Sequence, residues 1–207
     1  HHSLNVFEYR SRPVAYHLGR PWDWKTPLRM GRDLWGNPRK PAANPAATRI
    51  AATRITSFGD NGGLPMPDTS LGPCSQRTPE FLDYMLACPA AKMEAYSFHL
   101  AGTPLGYCVL SRVGTSCRIA DLWVAATDGA PDPGLWQAAL HLAASLASSH
   151  HATTSVAMAA GTPFLSQFLE AQGFRLVNPQ PLFVRGKVAL DGPVHMSLLD
   201  NDAFYLP

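Results

Sequence analysis

Residues 107–125 read YCVLSRVGTSCRIADLWVA, and this stretch decides the fold. Two runs rich in β-branched, aromatic and aliphatic residues, Leu105–Val113 and Cys117–Ala126, flank the turn residues Gly114-Thr115, which predicts an antiparallel hairpin. Downstream, 128–151 read DGAPDPGLWQAALHLAASLASSHH. Asp132 stands where an N-cap belongs and Pro133 fits the first helical position. Leu135, Ala139, Leu142 and Leu146 then recur at helical spacing, with Trp136 and Ala143 widening the same face. Thr153–Ala159 reads as a buried strand, and Thr162-Pro163 opens a further helix that Gly173 ends.

Upstream, Thr78 and Pro79 start a short helix carrying Phe81, Leu82, Met85 and Leu86 as its apolar stripe, and Cys88-Pro89 stops it. Ala95–Leu100 alternates as a strand, and Gly102-Thr103-Pro104 turns the chain into the central hairpin. Leu182–Val184 and His195–Leu199 are expected as closing strands. An antiparallel start followed by strand–helix–strand–helix alternation predicts an α+β fold: a mixed, mostly antiparallel sheet with helices on both faces.

The first 48 residues differ in character. Leu4–Tyr9 and Val14–Leu18 look strand-like, and the chain then becomes rich in Pro, Arg and Trp; Pro38, Pro41 and Pro45 forbid a regular helix and suggest an extended connector. Residues 1–60 hold 10 Lys/Arg against 4 Asp/Glu, whereas 61–207 hold 7 against 11, so a basic first part precedes an acidic remainder. Arginines interleaved with Trp22, Trp24 and Trp35 suit an anionic polymer. Packing on the acidic remainder or on a partner domain is the plainer account, and nucleic acid is not the expected partner. A second loop-rich stretch, 59–79, has five Gly or Pro in its first nine positions.

No apolar run approaches the roughly 18 residues of a membrane span. Cys74, Cys88, Cys108 and Cys117 form no C-x-x-C pair; Cys108 and Cys117 lie on adjacent strands where a disulfide is feasible, but free thiols of a cytoplasmic protein are expected. The chain opens His1-His2 without Met, as a tag remnant or an internal stretch of a longer protein does.

Over roughly 49–207 the order of elements resembles the GNAT superfamily of N-acetyltransferases. The most specific features are the hairpin ending in Asp121-Leu122-Trp123-Val124 and the late helix closing in Gln172-Gly173-Phe174. The segment Phe81–Tyr96, the Gly-Thr-Pro-Leu-Gly-Tyr run at 102–107 and the closing Asp200-Asn201-Asp202 are similar to a tandem subgroup with two such domains in one chain. On that resemblance 1–48 is a basic N-terminal segment or the tail of a preceding domain, and 49–207 is the GNAT-like domain.

The resemblance implies acyl transfer from acetyl-CoA or another acyl-CoA to an amine on a small molecule or peptide, by direct attack within a ternary complex. Asp121 is the implied base. Backbone N–H groups at Val124, Ala125 and Ala126 would hold the thioester, and the stretch through Gly129, Gly134 and Leu135 would face the pyrophosphate. The family usually carries Gln/Arg-x-x-Gly-x-Gly/Ala there. This chain reads Ala126-Thr127-Asp128-Gly129-Ala130-Pro131-Asp132-Pro133-Gly134, where two prolines lack N–H and two aspartates bring negative charge to an anion site. Leu169 stands where many members have an acidic Tyr.

Each side chain has an alternative role. Asp121 can pair with Arg118 or Arg112; His150-His151 suit a helix C-terminus better than a metal; Asp200 and Asp202 with His195 can form an acidic pocket without metal-ligand spacing. Ser155 and Ser166 lack a nucleophile elbow, and Tyr84, Tyr96 and Tyr107 suit core or rim positions. The rival function is a catalytically degenerate GNAT-like domain that supports an active domain, a preceding one or a second copy, or helps form its substrate cleft.

Overall fold

A computed structural model describes residues 2–35, 50–61, 63–182 and 192–200. Its elements are strand β1 (His2–Tyr9), helices α1 (Pro13–Leu18) and α2 (Thr26–Trp35), strand β2 (Ile50–Ile55), helix α3 (Pro79–Leu86), strands β3 (Lys92–Leu100), β4 (Thr103–Val113) and β5 (Ser116–Val124), helix α4 (Pro133–Ser149), strand β6 (Ser155–Ala160), helix α5 (Pro163–Ala171) and strand β7 (Arg175–Leu182). The strands form one sheet in the order β2-β3-β4-β5-β6-β1-β7. All neighbours are antiparallel except β5 and β6, which are parallel and joined by α4. The fold is therefore α+β, with a mixed and mostly antiparallel sheet. Successive residues of β1 show helices on both faces: Glu8 lies toward Tyr16 of α1, and the Tyr9 ring lies against that of Phe174 just after α5, 5.6 Å away and tilted.

The expected caps are in place. Thr78, Asp132 and Thr162 each accept from backbone N–H groups of the helix they precede, and a proline occupies the first helical position in all three. The core is built from the β3–β6 strands and the inner faces of α3, α4 and α5; Phe98, Leu110, Ile119, Leu122, Trp136, Leu140 and Leu169 are among its fully buried side chains.

Several expectations need correction. Val14–Leu18 falls in a helix, because Pro13 starts a turn in which Tyr16 N–H already bonds back to Arg12 O. His195–Leu199 is not a strand: only His195 makes a bridge, to Cys74, and Leu198–Asp200 is a single 3-10 turn. Leu182 ends β7, while 183–184 and the proline connector at 38–45 lie outside the described residues. Helix α2 and strand β2 carried no expectation. Most consequentially, β1 belongs to the same sheet as residues 50–182, between β6 and β7. A boundary at 48–49 therefore does not separate two sheets. Cys108 and Cys117 are buried free thiols, and burial pushes the Cys117 thiol up to about 11. Among the described residues, no helix is long and apolar enough to cross a membrane.

Candidate functional site at the divergence of two parallel strands

Strands β5 and β6 pair only from Ser116/Ser155 to Ile119/Met158, although β5 continues to Val124 and β6 to Ala160. Beyond that point β6 pairs with β1 alone, and the two parallel strands part. A register shift at Val109/Leu110 inserts Ala120 as an extra residue in β5 at the same level. The bulge puts Asp121 opposite Val109 and Trp123 opposite Tyr107, so Asp121, Trp123 and Tyr107 share one face.

Segment 193–200 crosses this opening. His195 N–H donates to Pro73 O at 2.9 Å, and the His195 ring sits 5.5 Å from that of Trp123. A Cβ added at Gly161, where β6 ends, would overlap the carbonyl oxygen of Val194; one at Gly72 would overlap that of Pro193. Both glycines are thus required by close backbone approach. Val194, His195, Ser197, Leu198 and Leu199 are all buried.

Asp121 is 1% exposed. Its partners are Arg77, whose Nε donates to Oδ2 at 3.0 Å, and the Tyr107 hydroxyl, which donates to the same oxygen at 3.0 Å. The expected pairing with Arg118 or Arg112 does not form: Arg112 instead binds Glu94 and donates to Leu146 O and Ala147 O at the end of α4. Arg77 also reaches Asp200 Oδ2 at 2.8 Å and Ser197 Oγ at 3.0 Å, and it contacts Ser75, which in turn donates to Asp200. Burial alone would raise the Asp200 carboxyl, but bonding to Arg77 and to Ser197 N–H holds it below the ordinary range. Burial, then the Asp121 charge, pushes the Tyr107 hydroxyl well up, so it remains a donor.

Several backbone donors of the candidate cofactor loop are already engaged. Ala125 N–H donates to Leu105 O at 2.8 Å, which removes one of the three backbone donors expected for a thioester, at Val124, Ala125 and Ala126. Thr127 and Ala130 exchange backbone hydrogen bonds around Asp128 and Gly129, both at positive φ, which is the two-residue turn favoured by Asp-Gly. Asp132 Oδ1 accepts from Gly134 N–H at 2.7 Å and Leu135 N–H at 3.1 Å, while Trp136 N–H bonds Asp132 O. Pro133 has no N–H to offer. Every donor of the first turn of α4 is taken.

Four buried polar side-chain atoms have no partner among the described residues, and three stand at this junction: Trp123 Nε1, Trp136 Nε1 and His195 Nδ1. The Trp123 and Trp136 rings meet edge to face at 5.8 Å. Burial lowers the His195 pKa against the raising pull of Asp121 and Asp200.

Of the site residues expected from the sequence, Asp121, Val124 and Ala125 are brought to the divergence, Ala126 follows them just before the Thr127–Ala130 turn, and Gly134 and Leu135 lie in the first turn of α4. Gly129 lies in the adjacent tight turn. Arg77, Ser197 and Trp136 were not foreseen as site residues. Arg77 sits in the loop before α3, 44 residues from Asp121, and no local spacing links them. His150 and His151 stack at the end of α4, and Leu169 is core. Among the described residues no group of His, Cys, Asp or Glu is arranged to hold a metal ion; Asp202 lies outside them.

No family model and no curated protein matches this sequence. Among solved structures it is similar to a functionally unknown conserved protein from Staphylococcus epidermidis ATCC 12228, at 11% identity and a TM-score of 0.41; the match covers 86% of this chain. The chain spans 59% of the length of that protein.

Proposed function

We propose that this is a GNAT-like domain that has lost acyl-CoA turnover and serves as a structural or substrate-binding partner of an active domain. The occupied N-terminus of α4 carries this reading. A pyrophosphate needs several free N–H groups at a helix start, and here the Asp132 carboxylate already takes two of them and adds a negative charge. Asp121 supports it: an ion-paired carboxylate that also accepts from Tyr107 is poorly suited to take a proton from an amine. Segment 193–200 occupies the opening between β5 and β6 that an acyl chain would need.

Titration calorimetry with acetyl-CoA and longer acyl-CoAs tests this. No heat of binding is expected up to millimolar ligand, and saturable binding would overturn the reading.

A second reading, N-acyl transfer from acyl-CoA to an amine with Asp121 as base, draws on one observation. The unpartnered Trp123 and Trp136 indole N–H groups are buried donors at the junction, and a thioester carbonyl would satisfy them if segment 193–200 moved aside.

A further inference from the structure

A cavity of about 320 Å³ opens between the second half of α4, the end of β1 and the chain that leaves α5. The end of α5 fixes one wall. Phe174 N–H bonds Leu169 O and Gly173 N–H bonds Glu170 O, both at 2.9 Å, around Gly173 at positive φ. This double-bonded helix cap holds Gln172 and Phe174 in place. Gln172 lines the cavity and is 5% exposed, and its Oε1 is the fourth buried polar atom without a partner among the described residues. A buried amide oxygen left unpaired is costly, so the position favours a ligand that brings the missing donor. The neighbouring serines do not bring it: Ser11 Oγ donates to Thr153 O at 3.3 Å and Ser148 Oγ to Ala144 O at 2.7 Å, which spends their protons on the backbone. Burial pushes the Tyr9 hydroxyl pKa up, so that hydroxyl stays protonated and able to donate. The Tyr9 and Phe174 rings, 5.6 Å apart and tilted, form an aromatic wall, and His141 lines the α4 side. None of the lining residues is Arg, Lys, Asp or Glu, so an ionised ligand would lose hydration without one of these countercharges.

We infer that this cavity binds a small, neutral, planar amide carried on a single aromatic ring. Such a ligand has the N–H that Gln172 Oε1 lacks, a carbonyl for the Tyr9 hydroxyl, and a flat face for the Tyr9–Phe174 wall. The volume lies at the small end of ligand sites, which suits one ring. The assignment does not depend on either reading of the divergence, since it uses none of the residues there.

Benzamide is the probe, titrated into the full chain by calorimetry beside benzoate and methyl benzoate, which keeps the carbonyl but has no N–H. Saturable benzamide binding is expected at millimolar ligand, about tenfold tighter than either control. Gln172→Met keeps the side-chain length and removes the unpaired amide. It should weaken benzamide by about tenfold while the urea midpoint stays equal or rises. A glutamine that serves the fold alone would lower the midpoint and leave the affinity unchanged. Ser145 is exposed on α4 and lines the cavity, so Ser145→Trp should block benzamide without unfolding the chain, and it decides the matter if Gln172→Met does not fold. Absence of saturable benzamide binding, or binding unchanged in either folded variant, would overturn the inference. Equal affinity for methyl benzoate or benzoate would overturn the amide assignment.

Discussion

Arg77 Nε donates to Asp121 Oδ2 at 3.0 Å, joining the loop before α3 to the central strand β5, and both side chains are almost fully buried. The same guanidinium binds Asp200, so one cation ties together a loop, a strand and segment 193–200. Arg77→Met would strand two buried carboxylates and is expected to cost about 3–5 kcal/mol in urea denaturation. Arg77→Met with Asp121→Asn and Asp200→Asn should recover part of that loss. A cost no larger for the single variant than for the triple would show that the network is not what holds these elements together.

Asp132→Ala removes the cap of α4 and should destabilise the protein by about 1 kcal/mol, measured as a lower urea midpoint at constant slope. Asp132→Asn should lose less, because an amide oxygen still accepts from Gly134 and Leu135.

His195 makes stability depend on pH in a defined direction. Its folded pKa is depressed below 6.5 by burial, so the unfolded chain binds the proton more readily. That contribution is complete above about pH 6.5 and is lost as pH falls toward the folded pKa. His195→Phe keeps a ring against Trp123 and removes the titration. The stability difference between native and variant proteins should therefore shift against the native protein as pH drops from 7 to 5. A difference constant over that range would exclude His195 as its source.

Gly161→Ala should release segment 193–200, since its Cβ would overlap Val194 O and the ends of the two parallel strands leave little room for retreat. A loss of roughly 1–3 kcal/mol is expected, together with faster proteolysis within 193–200 than in the native protein. Unchanged proteolysis would mean that the segment adjusts without leaving.

Thiol chemistry gives a further check. Cys108 and Cys117 are buried, whereas Cys74 and Cys88 are half-buried, so Cys74 and Cys88 should react with a thiol reagent before them under native conditions, even though burial raises the Cys74 thiol as well. Fast reaction of all four would contradict the packing of β4 on β5.

Local signals in the sequence determined much of the architecture. The Gly114 turn between two apolar runs, the Thr78, Asp132 and Thr162 caps followed by proline, and the Asp128-Gly129 turn all act within a few residues. Each therefore settled its own element whatever the rest of the chain did. The same locality made the Asp132 cap legible as an obstacle to phosphate. Tertiary structure alone decided the place of β1 between β6 and β7, the bulge that turns Asp121 toward Tyr107, and the choice of Arg77 over Arg112 or Arg118. These depend on which distant segments meet, and burial makes that choice: Arg112 is drawn to Glu94 and the carbonyls ending α4, while Arg77 faces the two buried carboxylates of Asp121 and Asp200. Residue spacing holds no record of either pairing.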